Sequence, residues 1–98
     1  MGRKLEISSE GISDLGEIWD YIANDSSANA DRFVEQIYQK CVEISELDGI
    51  GRSREELYPG LFSISFRKYI IFFQRADSCV RIIRILHGAR DIGAVFND

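Results

Sequence analysis

The hydrophobic pattern of the first half of the chain predicts one short strand followed by two helices. Leu5 and Ile7 lie on one face of a strand over residues 4–8. Apolar residues then recur every three or four positions, first from residue 9 or 11 to residue 24 and then over residues 27–47. These stripes comprise Ile12, Leu15, Ile18, Trp19 and Ile22 on the first helix, and Ala30, Phe33, Val34, Ile37, Cys41, Ile44 and Leu47 on the second. Because only a short turn with capping residues separates the helices, we expect an antiparallel hairpin.

The second half of the chain alternates with a period of two and predicts three strands. After an ordered loop over residues 52–60, strands are expected over residues 62–66, 69–73 and 80–87. In the last strand, alternation assigns Val80, Ile82, Arg84 and Leu86 to one face and Arg81, Ile83, Ile85 and His87 to the other. The order β-α-α-β-β-β predicts an α+β fold in which an antiparallel sheet packs against the N-terminal helical hairpin.

Length and composition limit the chain to one globular domain over residues 1–98. The 98 residues are 45% apolar and 29% charged, too few for two typical domains. The apolar runs are far shorter than the roughly 20 residues that cross a membrane, and no signal-peptide pattern opens the chain. Cys41 and Cys79 have neither a disulfide-rich nor a metal-binding spacing. We therefore expect a cytoplasmic protein with no membrane partner, no metal and no cofactor.

The net charge of −4 hides an asymmetry between the two halves of the chain. Residues 1–48 carry four basic and eleven acidic side chains, whereas residues 49–98 carry eight basic and five acidic ones. Seven of those eight are Arg, whose planar guanidinium binds carboxylates and phosphates through two N–H groups. The second half therefore predicts a basic face, unless ion pairs with the acidic helices neutralise it.

Arg84, His87 and Arg90 form the best candidate site by chemistry alone. They lie three residues apart, where the last strand leaves the sheet through Gly88. Arg binds planar anions, and a neighbouring His can transfer a proton. The alternative is that Arg90 pairs locally with Asp91 and His87 only covers the sheet edge. Periodicity does not separate the two interpretations.

Three other groups of residues are assigned mainly structural roles. Glu55 and Glu56, beside two arginines, offer a general base in principle, but ion pairs that fix the loop are the favoured interpretation. Asp14 is assigned to the polar face of the first helix. Trp19 and Phe33 lie on facing apolar stripes, and replacing either by Ala is expected to cost about 3–5 kcal/mol if it is buried.

Five segments of the chain carry a family resemblance. They are D-L-x-x-I-W-x-Y-I at residues 14–22, A-x-x-F-x-x-x-I at 30–37, R-x-R-x-E-L-x-P-G-L at 52–61, Y-x-I-F-F at 69–73 and R-I-L-H-G-A-R-D at 84–91. In this order and at these spacings they resemble the ParE toxins, a branch of the RelE/ParE superfamily of bacterial type II toxin–antitoxin systems. The resemblance covers nearly the whole chain.

The resemblance implies the fold predicted above and an activity. ParE-type toxins inhibit DNA gyrase by protein–protein contact and are neutralised by a ParD-like antitoxin. It therefore implies a non-enzymatic toxin, a role in plasmid stabilisation and a hetero-oligomer with the antitoxin. Arg84, His87 and Arg90 would contact gyrase, without direct sequence-specific binding of nucleic acid. The apolar side chains expected to bind the antitoxin are Ile18, Ile22, Phe33, Ile37 and Ile82.

Two other functions stay open at this point. In a RelE-like, ribosome-dependent mRNA endoribonuclease, Arg84, His87 and Arg90 would be catalytic. The net charge of −4 and a segment after His87 without Tyr or Lys argue against that interpretation. The third function is that of a toxin fold kept only as an antitoxin partner or repressor component. Two departures from the family, Phe62 in place of Arg and Phe73 in place of Tyr, are expected to alter the partner surface or the toxicity.

Overall fold

Eight elements of secondary structure follow one another in the part of the chain that the structure describes. The structure, a computed structural model, describes residues 2–97. The elements are β1 (Lys4–Ile7), α1 (Ser9–Ala23), α2 (Ser27–Glu46), β2 (Arg52–Ser53), β3 (Leu61–Phe66), β4 (Tyr69–Arg75), β5 (Cys79–His87) and α3 (Ile92–Phe96). The predicted order is confirmed, and two short elements, β2 and α3, are added to it. No helix within the described residues is long and apolar enough to cross a membrane.

The five strands form one sheet in the order β1-β5-β4-β3-β2. β3, β4 and β5 make an antiparallel meander, as predicted. β1 instead pairs with β5 in parallel, from Lys4 opposite Cys79 to Ile7 opposite Ile82. The predicted α+β fold is confirmed, but its sheet is mixed rather than wholly antiparallel. Parallel neighbours need a long crossover connection, and α1 and α2 belong to that connection here.

The main hydrophobic core lies between the helical hairpin and one face of the sheet, and we call it the helix-side core. Both helices begin at a serine N-cap. The Ser8 hydroxyl accepts a hydrogen bond from the Gly11 N–H, and the Ser26 hydroxyl accepts one from the Asn29 N–H. The buried side chains of this core are Ile18, Ile37, Cys41, Ile44, Ile71, Phe73, Val80, Ile82 and Ile85.

A smaller cluster, the outer cluster, covers the opposite face of the sheet. Leu61, Phe72 and Leu86 are buried there beneath α3 and the loop that follows β2. Phe96 of α3 packs edge-on against Phe72, with 5.0 Å between the ring centroids. The guanidinium of Arg54 lies over the same ring, 5.5 Å from its centroid. The loop and α3 thus form a thin third layer, which the sequence pattern does not predict.

A β-bulge in β5 changes the faces that simple alternation predicts. The pairing of β4 with β5 skips Ile83, which is the extra residue. After the bulge, Ile85 belongs to the helix-side core and Leu86 to the outer cluster. The predicted faces of Ile85 and Leu86 are therefore wrong, because one inserted residue reverses the alternation that follows it.

Trp19 lies outside the helix-side core, contrary to the prediction. Its side chain is half-buried on the surface of the hairpin, and its indole N–H donates a hydrogen bond of 2.8 Å to the Asp31 carboxylate. Ile12, on the same predicted stripe, is 60% exposed. The buried stripe of α1 is narrower than its apolar stripe and comprises Gly11, Asp14 and Ile18.

Candidate functional site

Arg84 is held by a buried carboxylate at the point where β5 extends beyond β1. The pairing of β1 with β5 stops at Ile82. Asp14 of α1 continues this edge: its carboxylate accepts hydrogen bonds from the Ile85 N–H at 2.9 Å and from Nε and Nη2 of Arg84 at 2.8 and 2.9 Å. The hydrogen bond to Asp14 raises the pKa of Arg84, so the guanidinium stays charged. The prediction that Asp14 lies on the polar face of the helix, in solvent, is wrong, since Asp14 is only 4% exposed.

His87 lies exposed at the end of β5. Its Nδ1 accepts a hydrogen bond of 3.0 Å from the backbone N–H of Ala89, which in the neutral ring leaves the proton on Nε2. The imidazole packs edge-on against the Tyr69 ring, with 5.3 Å between the centroids. The turn after β5 and the Tyr69 ring together fix the orientation of His87.

Arg90 is exposed in the turn between β5 and α3. Its backbone N–H donates a hydrogen bond of 3.0 Å to the carbonyl oxygen of His87. Asp91, the local partner considered from the sequence, caps α3 instead: its carboxylate accepts a hydrogen bond of 3.2 Å from the Ala94 N–H. Within residues 2–97, no ion pair joins Arg90 to Asp91. The guanidinium of Arg90 is therefore presented on the surface.

The three predicted site residues lie at one end of the molecule but are distributed over different depressions. Arg90 and His87 line one of them together with Tyr21 and Tyr69. Arg90 and Arg84 line another, beside the start of α3. The arrangement is an extended surface rather than an enclosed pocket. Such a surface suits contact with another macromolecule better than the binding of a small substrate.

An open groove beside this surface contains two of the five predicted antitoxin-binding residues. Ile22 and Phe33 are half-buried there, between the hairpin and the β3–β4 turn. Ile18, Ile37 and Ile82 are buried in the helix-side core with 6%, 0% and 0% exposure, so a partner cannot contact them on the folded surface. We call this depression the aromatic groove; its lining residues are Tyr21, Ile22, Phe33, Lys68, Tyr69 and His87.

The carboxylates of the loop after β2 have local structural partners. Glu56 accepts a hydrogen bond of 2.8 Å from Nε of Arg54, and Glu55 accepts one from the Gly60 N–H. The hydrogen bond from Arg54 lowers the pKa of Glu56. A carboxylate with a lowered pKa is a weaker general base. The geometry therefore favours the interpretation in which these residues fix the loop.

The two departures from the family pattern pack against each other. The rings of Phe62 and Phe73 stack with 5.9 Å between their centroids, and the guanidinium of Arg75 lies 5.2 and 5.4 Å from them. Arg75 also donates a hydrogen bond of 2.9 Å to the carbonyl oxygen of Ile50. Phe73 is fully buried and Phe62 is half-buried. The expected change to a partner surface therefore does not apply to Phe73, whose side chain no partner can reach.

Comparison with known proteins gives one family and several structural neighbours. The family model for the ParE toxin of the type II toxin–antitoxin system parDE matches residues 5–92. A chain of the chromosomal ParDE system from P. aeruginosa is 21% identical with a TM-score of 0.75, over 87% of this chain and 95% of that chain. A chain of the RelBE2 toxin–antitoxin complex from Mycobacterium tuberculosis is 18% identical with a TM-score of 0.68, over 92% and 95%.

A third neighbour is a free toxin rather than part of a complex. A double Arg-to-Ala mutant of the E. coli toxin RelE is 18% identical with a TM-score of 0.68, over 98% of this chain and 94% of that chain. No curated protein sequence matches the chain. At these identities the solved structures show only a common fold. The family model shows membership of the family, because it matches most of the chain. The chain therefore belongs to the ParE toxin family and is the toxin of a type II toxin–antitoxin system.

Proposed function

We propose that this toxin acts in the cytoplasm by inhibiting DNA gyrase through protein–protein contact, and that a ParD-like antitoxin neutralises it. In this proposal it is not an enzyme, and its module contributes to plasmid stabilisation. Support for an antitoxin partner comes from neighbours whose structures are toxin–antitoxin complexes. The ParE family model over residues 5–92 favours the gyrase-directed branch over the RelE branch.

The observation that carries the proposal is the ion pair between Arg84 and Asp14. Two nitrogens of the Arg84 guanidinium, Nε and Nη2, donate to the same carboxylate, and the side chain of Arg84 is only 22% exposed. A ribonuclease needs an arginine or lysine that can bind the scissile phosphate. An arginine already neutralised by a buried carboxylate is poorly suited to that role. The pair therefore supports contact with a protein target rather than cleavage of RNA.

The proposed gyrase-binding surface consists of His87, Arg90 and α3. Both side chains are exposed at the same end of the molecule and border one depression. Arg is among the residues that most often dominate the energy of protein interfaces. Arg84, which was also expected to contact the target, supports this surface from beneath in our proposal. The aromatic groove, with Ile22 and Phe33, is the proposed antitoxin-binding site.

The proposal is tested with purified toxin from which the antitoxin has been removed. Gyrase supercoiling and DNA cleavage are measured with increasing toxin, and a cell-free translation reaction is run in parallel. We expect supercoiling to fall while translation continues. Blocked translation with cut messenger RNA would assign the chain to the nuclease branch instead. No effect in either assay would reject both activities.

A single substitution tests the proposed gyrase-binding surface. Arg90→Ala removes an exposed guanidinium without disturbing the core, so we expect it to raise the toxin concentration that half-inhibits gyrase by roughly tenfold. Arg52→Ala, on the opposite edge strand β2, is the matched control and should leave inhibition unchanged. Equal inhibition by both variants would show that Arg90 does not contact gyrase.

A further inference from the structure

We infer that Asp14 is a positioning residue for the target-binding surface: through Arg84 and the Ile85 amide it fixes the end of β5 that presents His87 and Arg90. The inference rests on the proposed assignment of that surface to the target. Asp14 itself makes no contact with the target in this inference, because its side chain is buried between α1 and the end of β5.

The carboxylate of Asp14 is satisfied entirely by the end of β5. Its Oδ1 accepts a hydrogen bond from Nη2 of Arg84, and its Oδ2 accepts bonds from Nε of Arg84 and from the Ile85 N–H. A buried carboxylate is stable only with charged and hydrogen-bonding partners in good geometry. Any displacement of the strand end from α1 would break these bonds, so the contact restricts where the strand end can lie.

The hydrogen bonds to Asp14 lie where the end of β5 has no neighbouring strand on this side. β1 supports β5 only as far as Ile82, and the bulge at Ile83 follows immediately. Ser8 donates a hydrogen bond of 2.7 Å to the Ile83 carbonyl oxygen, and Asp14 accepts one from Ile85. These two side chains take over, on this edge, the hydrogen bonds that a longer β1 would make.

The restraint continues along the backbone to the proposed target contacts. Leu86 is buried in the outer cluster, and the Gly88 N–H donates a hydrogen bond of 2.8 Å to the Lys68 carbonyl oxygen. The Arg90 N–H then donates one to the carbonyl oxygen of His87. Each residue from 84 to 90 is therefore within two residues of a fixed contact. Asp14 makes the first fixed contacts of this series.

The test separates positioning from a general loss of stability. Asp14→Ala removes every acceptor, and Asp14→Asn keeps the shape and one acceptor oxygen but loses the charge. Ile44→Val and Ile44→Ala, in the helix-side core on α2, bracket the expected loss of thermal stability and leave the hydrogen bonds of Asp14 in place. Growth arrest on expression, gyrase inhibition in vitro and melting temperature are measured for all four variants.

We expect Asp14→Ala to weaken both growth arrest and gyrase inhibition by roughly tenfold or more, and Asp14→Asn to weaken them less. An Ile44 variant of equal melting temperature should retain the activity of the parent toxin. Hydrogen exchange should show faster exchange of the amides of residues 85–90 in Asp14→Ala only. Equal activity of the Asp14 and Ile44 variants at matched stability would overturn the inference, as would unchanged exchange at residues 85–90.

The same design separates failure of this inference from failure of the proposed function. A parent toxin that arrests growth without affecting supercoiling would reject gyrase as the target. The growth-arrest comparison would then still decide whether Asp14 positions the toxic surface. A parent toxin that inhibits gyrase, with Asp14→Ala fully active, would reject the inference alone.

Discussion

The two faces of the sheet are covered by layers of very different thickness. On one face, two long helices enclose the helix-side core, and several of its side chains have no exposed area. On the other face, a short loop and the five-residue α3 cover the outer cluster, which is built around Phe72. Since apolar burial is the main stabilising contribution, the helix-side core supports the fold. The thin outer layer covers the sheet next to the surface that we assign to the target.

The comparison suggests a division of tasks between the two faces. A five-residue helix is too short to be stable alone, so α3 depends on its contacts with the sheet. Those contacts include the Phe96 ring on Phe72. Arg90 lies in the turn directly before α3, so the thin layer and the proposed target surface share one short segment. The fold is therefore expected to tolerate changes on the outer face that it does not tolerate between the helices and the sheet.

The largest expected effect comes from opening the helix-side core. Ile37 on α2 has no exposed area and belongs to this core, so Ile37→Ala should lower the free energy of unfolding by about 2–5 kcal/mol. The loss combines the transfer free energy of the removed methyl and methylene groups with the cavity that remains. Denaturant unfolding followed by circular dichroism measures it. A loss below about 1 kcal/mol would show that the core collapses around the cavity.

The expected effect of opening the outer cluster is smaller. Phe96 is half-buried at the end of α3, so Phe96→Ala should lower the free energy of unfolding by only about 1–2 kcal/mol. The same denaturation experiment measures it beside Ile37→Ala. If the two losses were equal, the difference that we draw between the two faces would be wrong. The change should also reduce toxicity more than its stability loss explains, because α3 belongs to the proposed target surface.

The contrast between the faces also explains what the sequence predicts and what it does not. The helices and the three main strands follow from strong periodicities, as in the alternation of Phe62, Ile64 and Phe66 with serines. The bulge at Ile83 leaves no mark in a run of apolar residues, and it reverses the faces of the positions that follow. α3 and β2 are too short to show a period. Tertiary contacts decide these features, and a single sequence does not display them.

The sequence likewise predicts some features of the candidate site and not others. The spacing of Arg84, His87 and Arg90 correctly places all three at one strand end. The burial of Asp14 could not be predicted, because a carboxylate beside other acids on a helix resembles a solvated face. The one feature of the sequence that points to a buried acid is the arginines of β5, which offer a partner of opposite charge. Trp19 was misassigned for the opposite reason, since a polar partner, Asp31, accepts its indole N–H at the surface.

The reactivity of the two cysteines tests how tightly the helix-side core is closed, without any substitution in the chain. Cys41 lies in the helix-side core, where burial raises its pKa to about 12. Cys79 begins β5 at the surface, and its Sγ donates a hydrogen bond of 2.8 Å to the Glu6 carboxylate, which raises its pKa. Only the thiolate reacts with alkylating reagents. We therefore expect slow labelling of Cys79 near pH 8 and no labelling of Cys41 in the folded protein.

Replacing Glu6 should change the reactivity of Cys79 and leave that of Cys41 unchanged. Glu6→Gln removes the charge that disfavours the thiolate, so the pKa of Cys79 falls and its alkylation at a fixed pH becomes faster. Cys41 should stay protected in Glu6→Gln and become reactive in Ile37→Ala, which loosens the layer around it. Mass spectrometry of the labelled protein over a pH series measures both rates. Labelling of Cys41 at the rate of Cys79 in the parent toxin would contradict the closed helix-side core, because a buried thiol can react only through opening of the layer that covers it.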